Sequence, residues 1–99
     1  MNREEIAIRL IDVINRGSGE EIYRLLTRQT TFYSIDENRE LDDRAFIEKL
    51  KRIALPLRIE KVLQSKEAIK CVCSSEQEPL DIYLEIRQRR IVRAEINFR

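Results

Sequence analysis

Ninety-nine residues make one domain's worth of chain, and a hydrophobic fraction of 42% supplies one core and excludes a disordered polymer. Lys and Arg number 19 against 18 Asp and Glu, so the net charge of +1 offers no global field for nucleic acid or an anionic membrane. His is absent, which removes the commonest general base and most catalytic triads, and two Gly with two Pro leave no room for long flexible linkers.

The first ten residues, MNREEIAIRL, carry acids where an export signal carries a basic and then an apolar segment. No apolar run approaches the roughly 20 residues that span a bilayer, so the expectation is a soluble cytoplasmic protein with no membrane contact. Asn2 and Glu5 have capping-box spacing and predict a first helix. Its inner stripe is Ile6, Leu10, Val13 and Ile14, widened by Ala7 and Ile11. Gly17 supplies the left-handed residue that ends it. Ser18 and Glu21 repeat the capping spacing, and Ile22, Leu25 and Leu26 form the inner face of a short second helix. From Thr30 to Ile35 the chain is β-branched and aromatic, which predicts a first strand. Asp36, Glu37 and Asn38 form a polar turn. Asp42 or Asp43 caps a third helix with Phe46, Leu50 and Ile53 on its stripe, Ile47 and Ala54 beside it, and Pro56 at its end.

Beyond Pro56 apolar and polar residues alternate, so the chain reads as strand. Leu57 and Ile59 share one face, as do Ile69, Cys71 and Cys73 in the next strand. Leu80, Ile82, Leu84 and Ile86 follow in the third, and Val92, Ala94, Ile96 and Phe98 in the last. The other face carries charges, as an antiparallel sheet packed on helices needs. The last hairpin is expected to close with a three-residue loop, Gln88 to Arg90. That loop pairs Ile86 with Val92, Leu84 with Ala94 and Ile82 with Ile96, whereas a two-residue turn opposes Leu84 and Arg93. The chain thus reads as one α+β domain over residues 1–99: helix, helix, strand, helix and four strands, without internal repeat. Cys71 and Cys73, the only cysteines, lie two apart on an extended segment and are poorly placed to bridge each other. With no His, a metal site would need both thiolates plus distant carboxylates, so buried reduced thiols are expected, with no metal and no cofactor.

The order of elements resembles the nuclear-transport-factor-2-like superfamily, and within it the ketosteroid isomerases and polyketide cyclases. Three stretches carry the likeness: INRGSGEEIYRLL at 14–26, LPLRIEKV at 55–62 and RIVRAEINF at 90–98. The resemblance covers nearly the whole chain. It implies a cone-shaped fold, N-terminal helices packed on a curved antiparallel sheet, and a homodimer joined through the outer sheet face. The isomerases' catalytic pattern carries over poorly. Their first-helix tyrosine falls on Leu10 and their aspartate base on Ser34. Their second, protonated aspartic acid finds a match in Asp81, two residues after Pro79, but alternation turns Asp81 away from the aliphatic face. A serine with no histidine does not replace a carboxylate as base at neutral pH. No catalytic residue is therefore assigned.

A ligand space inside such a cone would be lined by Leu10, Ile14, Phe46 and Leu50 from the helices. From the sheet it would take Phe32, Ser34, Ile59, Cys71, Ile82, Leu84, Ala94 and Ile96. Convergent polar groups are few there, Ser34, Thr30 and the two thiols, so the space is read as a mostly filled core or a small apolar cavity. Asp36, near the cone mouth, is a base only if burial raises its pKa, and otherwise a turn residue, the reading preferred here. Val72, Tyr83, Glu85, Arg93 and Glu95 form the candidate dimer face, centred on Tyr83, which alone also reads as a solvent-exposed strand residue. Arg87, Arg89, Arg90 and Arg93 make the last hairpin basic. With no Gly-rich phosphate loop beside them they read as a solvated tip, and nucleic acid is not an expected partner. These readings favour a non-catalytic small dimeric domain for protein interaction or a small apolar ligand. The alternative is a ketosteroid-isomerase- or cyclase-like enzyme acting on a small hydrophobic substrate.

Overall fold

A computed structural model of the chain describes residues 2–17, 19–53, 56–66 and 68–99. Helix α1 spans Arg3–Arg16, and the Asn2 side chain caps it by accepting from the Glu5 N–H at 2.8 Å. Gly17, at φ 69°, ends it in the left-handed region, with its N–H donated to the Ile14 carbonyl at 3.0 Å. Helix α2 spans Gly19–Tyr23, and the expected cap at Ser18 lies outside the described residues. Helix α3 spans Asp43–Lys51. Asp42 is its cap, accepting from the Ala45 N–H at 2.7 Å. The helix stops at Arg52, well before Pro56, and Ile53 is buried just past its end, while Ala54 lies outside the described residues.

Six strands form one curved, unclosed sheet: β1 Leu26–Ser34, β2 Arg39–Leu41, β3 Arg58–Gln64, β4 Ala68–Ser74, β5 Pro79–Arg87 and β6 Arg90–Phe98. Their spatial order is β2-β1-β6-β5-β4-β3, antiparallel throughout except where β1 runs parallel to β6. The class is the α+β class expected, but the element order gains a strand. β2 folds back after the polar turn and pairs with Phe32, Tyr33 and Ser34. Asn38, at φ 53°, makes the reversal. β1 also begins early. Leu26, placed by helical spacing on the second helix, instead opens β1 opposite Ile91. Pairing slips between Leu26 and Thr31, and the Thr30 hydroxyl fills the gap by donating to the Ile91 carbonyl at 2.7 Å.

The last hairpin corrects the expected register in part. Ile82 faces Ile96 and Leu84 faces Ala94, as the pattern requires, but Ile86 faces Ile91 and the turn is two residues long. Gln88 and Arg89 adopt φ 50° and 64°, the left-handed pair of a tight turn that matches strand twist. A bulge between Glu85 and Ile86 leaves Val92 as the extra residue, so a short turn and matched faces coexist.

The helices cover the inner face of the sheet. Ile6, Leu10 and Val13 of α1, Phe46 and Leu50 of α3 and the inward residues of β4, β5 and β6 form one buried cluster. Phe32 and Phe46 pack ring to ring at 4.7 Å. Asn15 docks the segment after α3 onto the end of α1. Its side-chain amide accepts from the Leu57 N–H at 2.7 Å and donates to the Leu57 carbonyl at 2.9 Å, as a paired strand would.

Candidate functional site

Of the residues read as a pocket lining, Leu10, Ile14, Phe32, Ser34, Phe46, Leu50, Cys71, Ile82, Leu84, Ala94 and Ile96 are buried. Ile59 is half-buried and packs against the same cluster. Several hollows among the described residues lie open at the surface. An open groove of about 640 Å³ runs along the slipped part of β1, between Tyr23, Thr27, Phe32, Glu40 and Asp43. An apolar notch of about 110 Å³ lies among Val13, Ile14, Ile22, Ile47 and Leu50, where the three helices meet. Leu10, Phe46, Cys71, Ile82, Ala94 and Ile96 line none of these hollows.

Leu10, where the isomerases keep a tyrosine, is a fully apolar contact in α1. Ser34, where they keep their base, ends β1 with no exposure, and its chemistry is spent locally. Its hydroxyl accepts from the Glu37 N–H at 3.3 Å and lies 3.4 Å and 3.3 Å from carboxylate oxygens of Asp36 and Glu37. Those two carboxylates hold Lys49 of α3, at 2.9 Å and 2.7 Å, and the Lys49 ammonium also sits 4.9 Å from the centroid of the Phe98 ring. Asp36 further accepts from the Phe98 N–H at 3.3 Å. It stands in the turn between β1 and β2, as expected, and from there also ties β1 to α3 and β6.

The charges in this cluster are fixed. Partial burial pushes the Asp36 carboxyl up, but the hydrogen bonds from Lys49 and from the Phe98 N–H outweigh it and leave the pKa below its ordinary value. The hydrogen bond from Lys49, with another from Arg39, draws Glu37 down to about 2. Desolvation works against the Lys49 ammonium, yet its bonds to Glu37 and Asp36 prevail and raise its pKa. A general base at neutral pH needs the opposite shifts. Lys49 escapes notice in the sequence because its partners lie 12 and 13 positions away across a turn.

Asp81 projects from the outer face, as alternation requires, yet it is only 3% exposed. Arg99 Nε lies 3.2 Å from one carboxylate oxygen and Lys70 Nζ 3.8 Å from the other. Cys71 and Cys73 are free and buried in the core. Burial pushes the Cys71 thiol up to about 11 and the Cys73 thiol up to about 12, so neither is a nucleophile at neutral pH. No group of Cys, Asp and Glu among the described residues is arranged to hold a metal ion.

On the outer face Val72, Tyr83, Glu85, Arg93 and Glu95 are half-buried. Lys70 stands 5.3 Å from the Tyr83 ring centroid, and Arg93 stands 5.6 Å from that of Tyr33 while pairing with Glu95 at 2.8 Å. The hairpin arginines are largely structural. Arg90 donates to the Arg24 carbonyl at 3.0 Å, tying the turn to the end of α2, and Arg87 pairs with Glu85 at 2.7 Å. No helix among the described residues is long and apolar enough to cross a membrane.

No protein-family model matches the sequence, and no curated protein does. Solved structures do match. An NTF2-like protein of unknown function from Cytophaga hutchinsonii superposes with a TM-score of 0.78 at 10% identity, over 100% of this chain and 91% of that one. A Shewanella putrefaciens protein assigned to the SnoaL-like polyketide cyclases gives 0.75 at 14% identity, over 99% and 90%. A de novo designed protein with a curved β-sheet gives 0.76 at 14% identity, over 100% and 88%. One backbone thus serves an enzyme assignment and a designed scaffold alike, and the likeness speaks for architecture. The helices on a curved, unclosed sheet are the nuclear-transport-factor-2-like fold.

Proposed function

We propose that this chain is one non-catalytic, cytoplasmic domain that acts as a homodimer, with a filled cone interior and the outer sheet face as its contact surface. One observation carries the reading. Among the described residues the buried polar side chains are Ser34 and Asp81, and only Ser34 faces the cone, where its hydroxyl is already engaged. A ligand pocket depends on several convergent polar groups among apolar ones. The small notch between the helices leaves room for a short apolar group at most, consistent with a module whose work is association.

The alternative, an enzyme acting on a small hydrophobic substrate, draws support from the shared architecture with a SnoaL-like cyclase assignment. It needs a carboxylate inside a roomy cavity. Native mass spectrometry of the protein as purified separates the two. The expected result is a bare dimer. A dimer carrying a few hundred daltons would restore the pocket reading, and a bare monomer would end the contact-surface reading. Tyr83→Arg is expected to shift the dimer to monomer in light scattering, because it sets a cation against its copy at the centre of the contact. An unchanged dimer would place the interface elsewhere.

A further inference from the structure

One row of side chains crosses the outer face over five strands. Leu63 on β3 pairs with Lys70 on β4, Lys70 with Tyr83 on β5, Tyr83 with Glu95 on β6, and Glu95 with Tyr33 on β1. Neighbouring strands lie about 4.8 Å apart, so a cation and an anion flank Tyr83 at similar distances, with an aliphatic and an aromatic residue one strand further out. Turned about Tyr83, the row complements itself. Leu63 is 44% exposed, and the Lys70 and Glu95 side chains are 34% and 31% exposed. Beside Tyr83, a hollow of about 420 Å³ bounded by Ala68, Glu85, Arg93 and Glu95 leaves room for a ring.

We propose that a second copy of this chain docks here about a two-fold axis lying along β5 over Tyr83. Tyr83 then meets the partner's Tyr83, Lys70 meets the partner's Glu95, and Leu63 meets the partner's Tyr33. This rests on the reading of the outer face as the contact surface and adds its register. The alternative two-fold, running across the strands, sets Lys70 on the partner's Lys70 and Glu95 on the partner's Glu95, and like charges in a desolvated contact disfavour it. Packed sheets cross at about 30°, so the match has to hold only in the central row. On this axis Asp81 and Glu85, the outward residues on either side of Tyr83 along β5, also face their own copies, and each is offset within its own chain, by Arg99 and Arg87 respectively. Glu95 keeps Arg93 and Lys70 keeps Asp81, so the intermolecular pairs extend ion networks and do not bury bare charges.

Charge swapping tests the register. Lys70→Glu and Glu95→Lys should each raise the dimer Kd by on the order of 100-fold, since every substitution is felt twice about the axis. Mixed one to one, with one variant ¹⁵N-labelled, the two should form a heterodimer in native mass spectrometry, because both contacts become attractive. The double variant Lys70→Glu/Glu95→Lys should dimerise again by itself, which covers the case of one single variant folding poorly. A wild-type dimer unmoved by either single change, or monomeric variants that fail to pair when mixed, would overturn the register while leaving dimerisation intact. A monomeric wild type would overturn both this and the reading beneath it.

Discussion

Leu84 is 1% exposed at the centre of β5, between Ile69 and Ala94. Leu84→Asp would leave a carboxylate unpaired in the core at a cost of several kcal/mol, comparable with the whole stability of a small domain. The variant should lack a cooperative thermal transition by circular dichroism; a folded variant would reverse the two sheet faces. The Asp36–Glu37–Lys49 cluster makes a second prediction. A carboxyl whose pKa is lower folded than unfolded adds stability that is complete above the unfolded value and disappears as pH falls through the folded one. For Glu37 that window runs from about 4.5 down to about 2. Denaturation by urea should show stability falling across it. Lys49→Met should be less stable than the parent at neutral pH and equal to it at the acid end, and parallel profiles would remove the cluster from the account. Single residues of this kind are the least legible in sequence. Asn15, whose amide holds Leu57 across 42 positions, reads locally as no more than a helix-ending residue.

The β5–β6 hairpin shows how far pattern reaches at the level of elements. Alternation places Leu84 against Ala94 and Ile82 against Ile96, because a face once matched constrains the whole ladder. It is silent on a bulge, which shifts register by one without changing composition, and so the turn comes out one residue shorter than the unbroken ladder demands. β2 is hidden for a different reason: three residues, two of them charged, contain no period. Leu26 satisfies helical and strand spacing alike, and its pairing with Ile91 decides between them. Gln88 and Arg89 occupy left-handed backbone that Asn and Gly adopt more easily. Replacing the pair by Asn-Gly should stabilise the protein by about 1 kcal/mol, seen as a higher Tm. A lower Tm would mean that the side chains of Gln88 or Arg89 contribute more than their backbone strain costs.

For the molecule as a whole, the fold class was legible because each strand carries its own two-face pattern and each described cap its own signal. The outer sheet face was legible only as a list of outward residues. The row through Tyr83 draws Tyr33, Leu63, Lys70 and Glu95 from four other strands, and no local window contains it until the strand order is known. The same holds for the cone. Whether inward residues line a space or fill it depends on volumes contributed by Phe46, Phe32 and Leu10 together, which spacing along the chain does not measure.

The two thiols of β4 supply a built-in clock. Cys71 and Cys73 have no solvent exposure and pair across the ladder with Ile82 and Leu80 of β5, one strand in from the β3 edge of the sheet. The thiolate attacks a disulfide reagent and expels half of it as the leaving thiolate, so at neutral pH labelling must wait until the sheet parts and the thiols regain ordinary acidity. With reagent in excess, the labelling rate should cease to depend on its concentration and equal the rate at which the core opens. Labelling that tracks reagent concentration throughout would mean that closing outruns the reagent, and the slope would then report the equilibrium between closed and open sheet.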